Sequence, residues 1–236
     1  SDVYKRQALA DQWDLVGLDV ADQIDLGGLL SVYDVLTVAV RDNRRIVAAW
    51  PRLVDRALGV AIDVGSTTIA GHLCDLATGE ILSSTGTMNP QIRFGEDLMS
   101  RVSYVMMNPG GEVELTSSVR AAIDGLIGEL CHAADAARDE VLELTLVGNP
   151  IMHHLFLGLD PTPLGVAPFT LEIEDAVDLP AADLALHVHP AARAHVLPCI
   201  AGHVGADTAA VVLATGPHQS PGVNQVVDVG LSLIPI

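Results

Sequence analysis

Short apolar runs separated by turn residues dominate residues 59–82 of the chain. The first run, residues 59–62, ends at Asp63 and is followed by Gly65 and then by three hydroxyl residues. A second run, residues 69–74, leads through an Asp-Leu-Ala-Thr-Gly turn into a third apolar stretch. Because runs of this length bounded by turn residues are typical of β-strands, the pattern predicts strand, tight loop, strand, turn and strand.

Helical periodicity and further apolar runs continue towards the end of the chain. Residues 116–138 carry the strongest helical signal, with one apolar stripe formed by Val119, Ile123, Leu126, Ile127, Leu130 and Ala134. The other predicted elements are a loop over 87–93, helices over 94–107, 151–157 and 208–214, strands over 143–147, 196–200 and 225–230, and an irregular excursion over 161–190. Strands and helices alternate, and we expect an α/β fold.

The residues before this region predict a small α/β unit of their own, over 8–57. Its clearest feature is a hairpin with strands over 35–40 and 46–50, joined by a polar turn. Pro51 ends the hairpin, and a charged segment then leads into the next apolar run. We therefore place a domain boundary after residue 57, with the second domain over 58–236.

Composition argues against several classes of function. The chain has 236 residues, with 30 acidic against 12 basic side chains and a net charge of −18, whereas nucleic acid and anionic membranes both require a positive surface. No apolar run reaches the roughly 18 uncharged residues of a membrane span, and the first residues carry no signal-peptide core. We expect a cytoplasmic globular protein. The distant Cys74, Cys131 and Cys199 predict reduced thiols and no zinc or iron–sulfur site in this chain.

The loop after the first predicted strand carries the candidate chemistry. Glycine permits close backbone approach, successive amide N–H groups can form an anion-binding concavity, and hydroxyls add donors. The phosphate-binding candidates are Gly65, Ser66, Thr67 and Thr68. Asp63 at the strand end could hold a hydrated Mg²⁺, which prefers one or two carboxylates together with phosphate oxygens. The alternative is an ordinary β-hairpin with a glycine turn.

Motifs in chain order extend this interpretation to a family. The Asp-x-Gly-Ser-Thr-Thr segment on a first hairpin resembles the first phosphate motif of the actin, sugar-kinase and heat-shock ATPase superfamily. Five segments follow one another: IDVGSTTIAGHLCDLATGEIL, NPQIRFGEDLMSRV, LTLVGNPIMHHLFLGLDPTPLG, LPCIAGHVGADTAAVVLA and VVDVG. Together they resemble the ATPase domain of the reductive activators of corrinoid proteins, over about residues 9–230.

The resemblance implies a fold, a reaction and cofactors. The fold is one actin-like (ribonuclease H-like) ATPase lobe, preceded by a small α/β middle domain. Family members use ATP and Mg²⁺ to drive an electron from a ferredoxin-type [2Fe–2S] domain to an inactive Co(II) corrinoid, giving Co(I). The implied partner is a corrinoid methyltransferase protein, and a homodimer is left open. Because this chain lacks the Cys₄ set of such a cluster, the cluster is expected only in a region preceding it.

The resemblance also assigns site residues. Asp63 is implied as the catalytic carboxylate that holds Mg²⁺, and Asp228 and Gly230 match the second phosphate motif. The chain then continues as Leu-Ser-Leu-Ile-Pro-Ile, where the family has a polar loop. Residues 1–7 and 231–236 resemble translated adapter fragments, the alternative being naturally divergent termini. We therefore expect half a nucleotide cleft, which binds ATP weakly and is inactive alone.

Two other functions remain open on the sequence. One is a sugar or acyl-phosphate kinase built on the same ATPase core, which would phosphorylate a small metabolite. The other is a non-catalytic, nucleotide-binding regulatory lobe that docks partners. Whether the chain is an enzyme is therefore not fixed by its sequence.

Several polar residues have structural interpretations beside functional ones. Asn149 could orient water or phosphate, or form the turn before the proline that follows. Neighbouring His153 and His154 point about 100° apart on a helix, which predicts one core-facing and one surface ring and not a metal pair. His187 and His189 are predicted on one face of a strand. Helix-start roles are predicted for Glu96 and Asp97 in a first turn and for Gly205, Asp207 and Thr208 at an N-cap.

Overall fold

The computed structural model describes residues 19–219. The predicted second phosphate motif at Asp228 and Gly230, and both unusual termini, lie outside these residues. Between residues 19 and 219, no helix combines the length and the apolar character that a membrane span requires.

A small three-stranded sheet comes first in the described chain. Its strands are β1 (Asp19–Val20), β2 (Thr37–Arg41) and β3 (Arg45–Trp50), and helix α1 (Leu26–Val32) lies between β1 and β2. β3 is central, parallel to β1 and antiparallel to β2. Asp42 and Asn43, with φ of 53° and 54°, are the central residues of the turn between β2 and β3, in which the N–H of Arg44 donates to the carbonyl of Arg41 at 3.0 Å. The hairpin predicted from the apolar runs is confirmed.

A six-stranded mixed sheet forms the rest of the framework. Its strands are β4 (Leu58–Val64), β5 (Thr68–Asp75), β6 (Ile81–Met88), β7 (Val141–Gly148), β8 (Val177–Pro180) and β9 (Arg193–Val196). They lie in the order β6-β5-β4-β7-β9-β8, with β4, β7 and β9 parallel and the other pairs antiparallel. The predicted α/β fold is confirmed, and the strand order is consistent with an actin-like lobe.

Helices follow the strands and pack against both faces of this sheet, the last of them beside Val147 on the face of Asp63. They are α2 (Leu98–Met107), α3 (Gly111–Ala133), α4 (Pro150–Leu157) and α5 (Ala206–Thr215), with short 3₁₀ turns at Pro90–Phe94, Arg138–Glu140, Thr162–Gly165, Ala181–Leu184 and Pro217–Gln219. The predicted stripe of α3 is buried in the core from Val119 to Leu130. A fully buried Leu or Ile contributes about 1.5–3 kcal/mol, so this stripe attaches the helix to the sheet.

Several predicted boundaries were wrong. α3 begins five residues earlier than predicted because Gly110, with a φ of 85°, reverses the chain immediately before it. The helix ends at Ala133, since Asp135 has a left-handed φ of 48°. β6 extends through residues 87–88, which were predicted as loop. β9 ends at Val196, where the predicted strand began.

The small sheet attaches to the N-terminal ends of the parallel strands of the large sheet. Leu142 of β7 joins an apolar cluster with Val47, Ala48, Trp50 and Val54. Arginines of the first region pair with acidic residues around the start of β7: Arg41 with Glu143, Arg52 with Asp139 and Glu140, and Arg56 with Glu140. The opposite, C-terminal ends of the parallel strands therefore stay clear of this attachment.

Candidate functional site

The predicted phosphate loop lies at the C-terminal end of β4, between β4 and β5. β4 and β5 pair up to Val64 and Ile69, so the chain reverses within the four residues between them. A Cβ at Gly65 would lie 2.4 Å from the carbonyl oxygen of Thr68, so only glycine permits this close backbone approach. Thr67 and Thr68 are exposed and Ser66 is half-buried, which leaves hydroxyls accessible at the loop.

Asp63 lies next to this loop on the face of the sheet opposite the α3 core. Its side chain is exposed, whereas Ile62 and Val64 on either side of it are buried. The residues paired with Asp63 across the sheet are Ala70 on β5 and Val147 on β7. The strand residues beside Asp63 are thus small or apolar, and its carboxylate lies at the strand end where ligands of α/β sheets commonly bind.

Three consecutive backbone carbonyls of the loop accept hydrogen bonds from buried residues. The side-chain amide of Asn89 donates to the carbonyl of Gly65 at 2.8 Å, and its backbone N–H donates to the carbonyl of Thr67 at 2.8 Å. The guanidinium of Arg101 donates to the carbonyl of Ser66 between them. Asn89 and Arg101 are both fully buried. With its carbonyls engaged inside the protein, the loop can present amide N–H groups on its other side.

Arg101 of α2 connects the loop to its surroundings. Its other acceptors are the carbonyl of Gly95 at 3.1 Å, the side-chain oxygen of Gln91 at 3.2 Å and the sulfur of Met152 at 3.1 Å. Burial lowers the pKa of Arg101 to about 10, partly offset by the carboxylate of Asp97. The guanidinium remains charged at neutral pH, so a positive charge lies beneath the loop.

The end of β7 and the start of α4 form the next part of this edge. Asn149 is the N-cap of α4 and accepts a hydrogen bond from the N–H of Met152 at 3.0 Å, so the predicted turn role is the one seen. Gly205, the N-cap residue of α5, lies so close that an added Cβ would be 2.6 Å from the carbonyl of Gly148 and from Cα of Asn149. The ends of β4 and β7 and the loop before α5 therefore meet.

Other predicted helix-start roles are confirmed or corrected. Gly205 caps α5 without a side chain, and Asp207 lies in the first turn, where it accepts from the N–H of Thr208 at 2.7 Å. Asp97 is itself the N-cap of α2, accepting from Ser100 at 2.7 Å, and Glu96 precedes the helix. The prediction of both acids inside a first turn was wrong, because Asp97 competes for the free N–H groups and starts the helix later.

His153 and His154 correct a second prediction, since both rings are buried. His154 bonds through Nδ1 to the carbonyl of Pro150 at 2.8 Å and accepts at Nε2 from the N–H of Glu172 at 3.1 Å. Neither ring nitrogen of His153 has a hydrogen-bond partner within the described part of the chain. Burial, with a smaller contribution from His154, lowers the pKa of His153 to about 4, against a weak opposing effect of the Leu197 backbone. α4 is enclosed on both sides, which its short apolar sequence did not reveal.

His187 and His189 do not lie on a strand. His187 is exposed and contacts the carboxylate of Asp124 at 3.2 Å. His189 is buried and packs edge-on against Trp50, with ring centroids 5.7 Å apart. Nowhere between residues 19 and 219 do three or more His, Cys, Asp or Glu side chains come together as a potential metal site.

A cleft of 780 Å³ lies at the other end of the large sheet, far from the loop along the strands. Its lining includes four arginines and three aspartates: Arg41, Arg44, Arg45, Arg193, Asp22, Asp42 and Asp178. Three of these arginines are engaged in ion pairs, Arg41 with Glu143, Arg45 with Asp19 and Arg193 with Asp178. This mixed lining belongs to the junction of the two sheets.

Sequence reasoning identified the loop but missed the residues that hold it. Asn89, Gln91 and Arg101 are all fully buried polar side chains. Gln91 also donates to the carbonyl of Leu115 at 2.9 Å, which ties the segment to α3. Two of the three, Asn89 and Gln91, lie in the NPQIRFGEDL segment, and Arg101 follows in α2.

Comparisons with known proteins agree with the fold. The family model of the RACo middle region matches residues 58–220, a range that starts with the first residue of β4. A corrinoid activation enzyme, RamQ of Eubacterium limosum, is 32% identical over 202 residues, covering 85% of this chain and 34% of that protein. A solved structure of a reductive activator for a corrinoid, iron–sulfur protein matches with a TM-score of 0.77 and 30% identity, covering 90% of this chain and 35% of that one.

The matches cover most of this chain but only part of each relative. The chain spans about a third of the length of both relatives. The matched residues 58–220 contain all six strands of the large sheet, β4 to β9, together with the predicted phosphate loop. Since the family model covers more than half of the 236 residues, the chain belongs to the RACo middle region family of corrinoid reductive activators.

Proposed function

We propose that this chain is part of an ATP-dependent activator that returns an inactive Co(II) corrinoid protein to Co(I). Residues 58–219 supply one nucleotide-binding lobe, and residues 19–57 belong to a separate small domain. The observation that carries the proposal is the loop after β4, whose three carbonyls are held inside the protein by Asn89 and Arg101. Such a loop offers its amides and hydroxyls to phosphate.

The residues present fit the phosphates of ATP and a Mg²⁺ ion. Gly65 leaves no room for a side chain between the loop strands, and the hydroxyl residues that follow it are accessible. Asp63 supplies one carboxylate at the same strand end, which suits Mg²⁺ because this ion takes one or two carboxylates with phosphate oxygens and water. Binding of ATP supplies the free energy for an electron transfer that is uphill by about 0.7 kcal/mol for each 30 mV.

The residues present do not fit a [2Fe–2S] cluster. Burial raises the pKa of the Cys74 and Cys131 thiols and raises that of Cys199 to about 11, whereas cluster ligands must be thiolates. We propose that a separate ferredoxin-type domain delivers the electron. The step is a one-electron reduction, in which Co(II) becomes Co(I) while the reduced cluster is oxidised.

The proposal is tested by the absorbance change from Co(II) to Co(I). A full-length protein that carries this chain is mixed with a Co(II) corrinoid methyltransferase protein and a low-potential reductant, with and without Mg-ATP. We expect formation of Co(I) that depends on ATP. An unchanged corrinoid spectrum with several corrinoid partners would contradict the proposal, and ATP-dependent phosphorylation of a small metabolite would favour the kinase alternative.

A further inference from the structure

The loop between β4 and β5 directs its backbone carbonyls into the protein. Here three consecutive carbonyls, those of Gly65, Ser66 and Thr67, accept hydrogen bonds from two fully buried residues. The outer two are held by Asn89, one through its side chain and one through its backbone N–H. The central one is held by Arg101.

Arg101 is the charged member of this arrangement, and its four acceptors are neutral. They are the carbonyls of Ser66 and Gly95, the side-chain oxygen of Gln91 and the sulfur of Met152. Taking a guanidinium out of water without a carboxylate in direct contact is costly. Such an arrangement is stable only where the surrounding structure is well ordered, and its positive charge favours an anion nearby.

The acceptors of Arg101 come from four separate elements. Ser66 belongs to the phosphate loop, Gln91 to the 3₁₀ turn and Met152 to α4, while Gly95 lies just before α2. Met152 is also bound through its N–H to the N-cap Asn149 at the end of β7. One side chain thus joins the strand ends at which the site is built.

We propose that Arg101 is a positioning residue, which holds the carbonyl of Ser66 inward so that the amides of the loop face a bound phosphate. The effect on nucleotide affinity rests on the proposed function. The ordering of the loop does not, because it can be measured without any nucleotide.

The test uses three variants, and Arg120 provides a matched control. Arg120 is half-buried and also donates to carbonyls, those of Phe156 at 2.9 Å and Leu157 at 3.0 Å, at the far end of α4. Burial lowers its pKa as well. Arg101→Met and Arg120→Met each remove a guanidinium from carbonyl acceptors, but only the first touches the loop. Arg101→Lys keeps the charge and some of the donors without the planar fork.

The first measurement is amide hydrogen exchange of residues 65–68 in the 236-residue chain without nucleotide. We expect at least a tenfold faster exchange in Arg101→Met, an intermediate rate in Arg101→Lys, and the wild-type rate in Arg120→Met. A loop that exchanges at the wild-type rate in folded Arg101→Met would overturn the proposal. So would equal acceleration in Arg120→Met, because that would reflect general loosening.

The second measurement separates binding from turnover in a full-length protein that carries this chain. We expect the KM for Mg-ATP to rise at least tenfold in Arg101→Met and to recover in part in Arg101→Lys, with a smaller change in kcat. An unchanged KM alongside faster loop exchange would overturn the positioning role. If the wild-type protein binds no ATP, the proposed function fails, while the exchange measurement still decides whether Arg101 orders the loop.

Discussion

The two ends of the parallel strands use arginine in opposite ways. At the C-terminal end, Arg101 is fully buried and donates to carbonyls, an amide oxygen and a sulfur. At the N-terminal end, Arg52 and Arg56 are partly exposed and pair with the carboxylate of Glu140. One end has a charge held by neutral groups, and the other has ion pairs whose arginines reach water.

This contrast shows what each end is built to do. Partly exposed ion pairs contribute little to stability, and they suit a junction between two sheets whose apolar contact is small. A buried guanidinium among neutral acceptors is costly to maintain and fixes the backbone that it contacts. The ion pairs attach the small sheet to the large one, whereas the buried guanidinium orders a loop. Substitutions at the two ends should therefore differ in size and in what they change.

The largest effect is expected for Asp63→Ala in a full-length protein. The substitution removes the carboxylate proposed to hold Mg²⁺, so Mg-ATP turnover should fall at least about 100-fold. The side chain is exposed, so the thermal midpoint should stay near that of the wild type. Thr145→Ala on β7, exposed on the same face, is the control and should retain turnover. Wild-type ATPase rates in Asp63→Ala would move the site elsewhere.

Two glycine substitutions should change the free energy of unfolding in opposite directions. Gly65→Ala places a Cβ 2.4 Å from the carbonyl of Thr68, which forces the loop to shift at a cost of about 1–3 kcal/mol. A Cβ at Gly125, in the middle of α3, would meet no atom of residues 19–219 within 4 Å, so Gly125→Ala should stabilise the chain by up to about 1 kcal/mol through helix propensity. Urea unfolding of both variants checks the pair, and a loss of stability in both would contradict it.

The sequence predicted the loop because its signal is local. Asp63 and Gly65 lie within one strand–loop–strand unit, so hydrophobic alternation and turn residues were sufficient. Asn89 and Arg101 act on the loop from 24 and 35 residues away in the chain. An arginine on an amphipathic helix is typical of a surface face, and only the packing of α2 places Arg101 inside.

The same reason explains the misplaced histidine and helix boundaries. Whether His153 is buried depends on which elements enclose α4, and those lie far away in the chain. The start of α3 depended on the conformation of Gly110, which the hydrophobic stripe does not encode. Periodicity therefore predicted the elements and the core, while the contacts between distant segments needed the structure.

A pH-dependent loss of stability should follow from His153. Its pKa is lowered to about 4 in the folded chain, from about 6.5 when unfolded. The unfolded state therefore binds the proton first, and stability is lost as the pH falls from about 6.5 towards 4. At pH 5 the loss from this group is about 2 kcal/mol.

The variant His153→Leu tests this dependence. Leucine removes two ring nitrogens that have no hydrogen-bond partner within residues 19–219, so stability at pH 7 should be retained or raised, and the difference between pH 7 and pH 5 should shrink. The pKa values of His154 and His189 are also lowered by burial, so part of the dependence remains. His132→Gln, at an exposed position in α3, is the control. If the difference in stability between pH 7 and pH 5 is unchanged in His153→Leu, the pH dependence does not come from His153.

The smallest effects on stability are expected for the ion pairs at the N-terminal ends of the parallel strands. Their size should depend on how deeply each carboxylate is buried. Glu140 is 8% exposed and accepts from Arg52 at 3.0 Å and from Arg56 at 3.1 Å, so Glu140→Gln should cost about 1–2 kcal/mol. Asp19, 71% exposed and 3.8 Å from Arg45, should tolerate Asp19→Asn within about 0.5 kcal/mol. Since salt screens exposed charges more than buried ones, 1 M NaCl should remove the Asp19 effect and only reduce that of Glu140. Equal effects of the two variants in urea unfolding would show that the ion pairs at this end are all worth the same, whatever their burial.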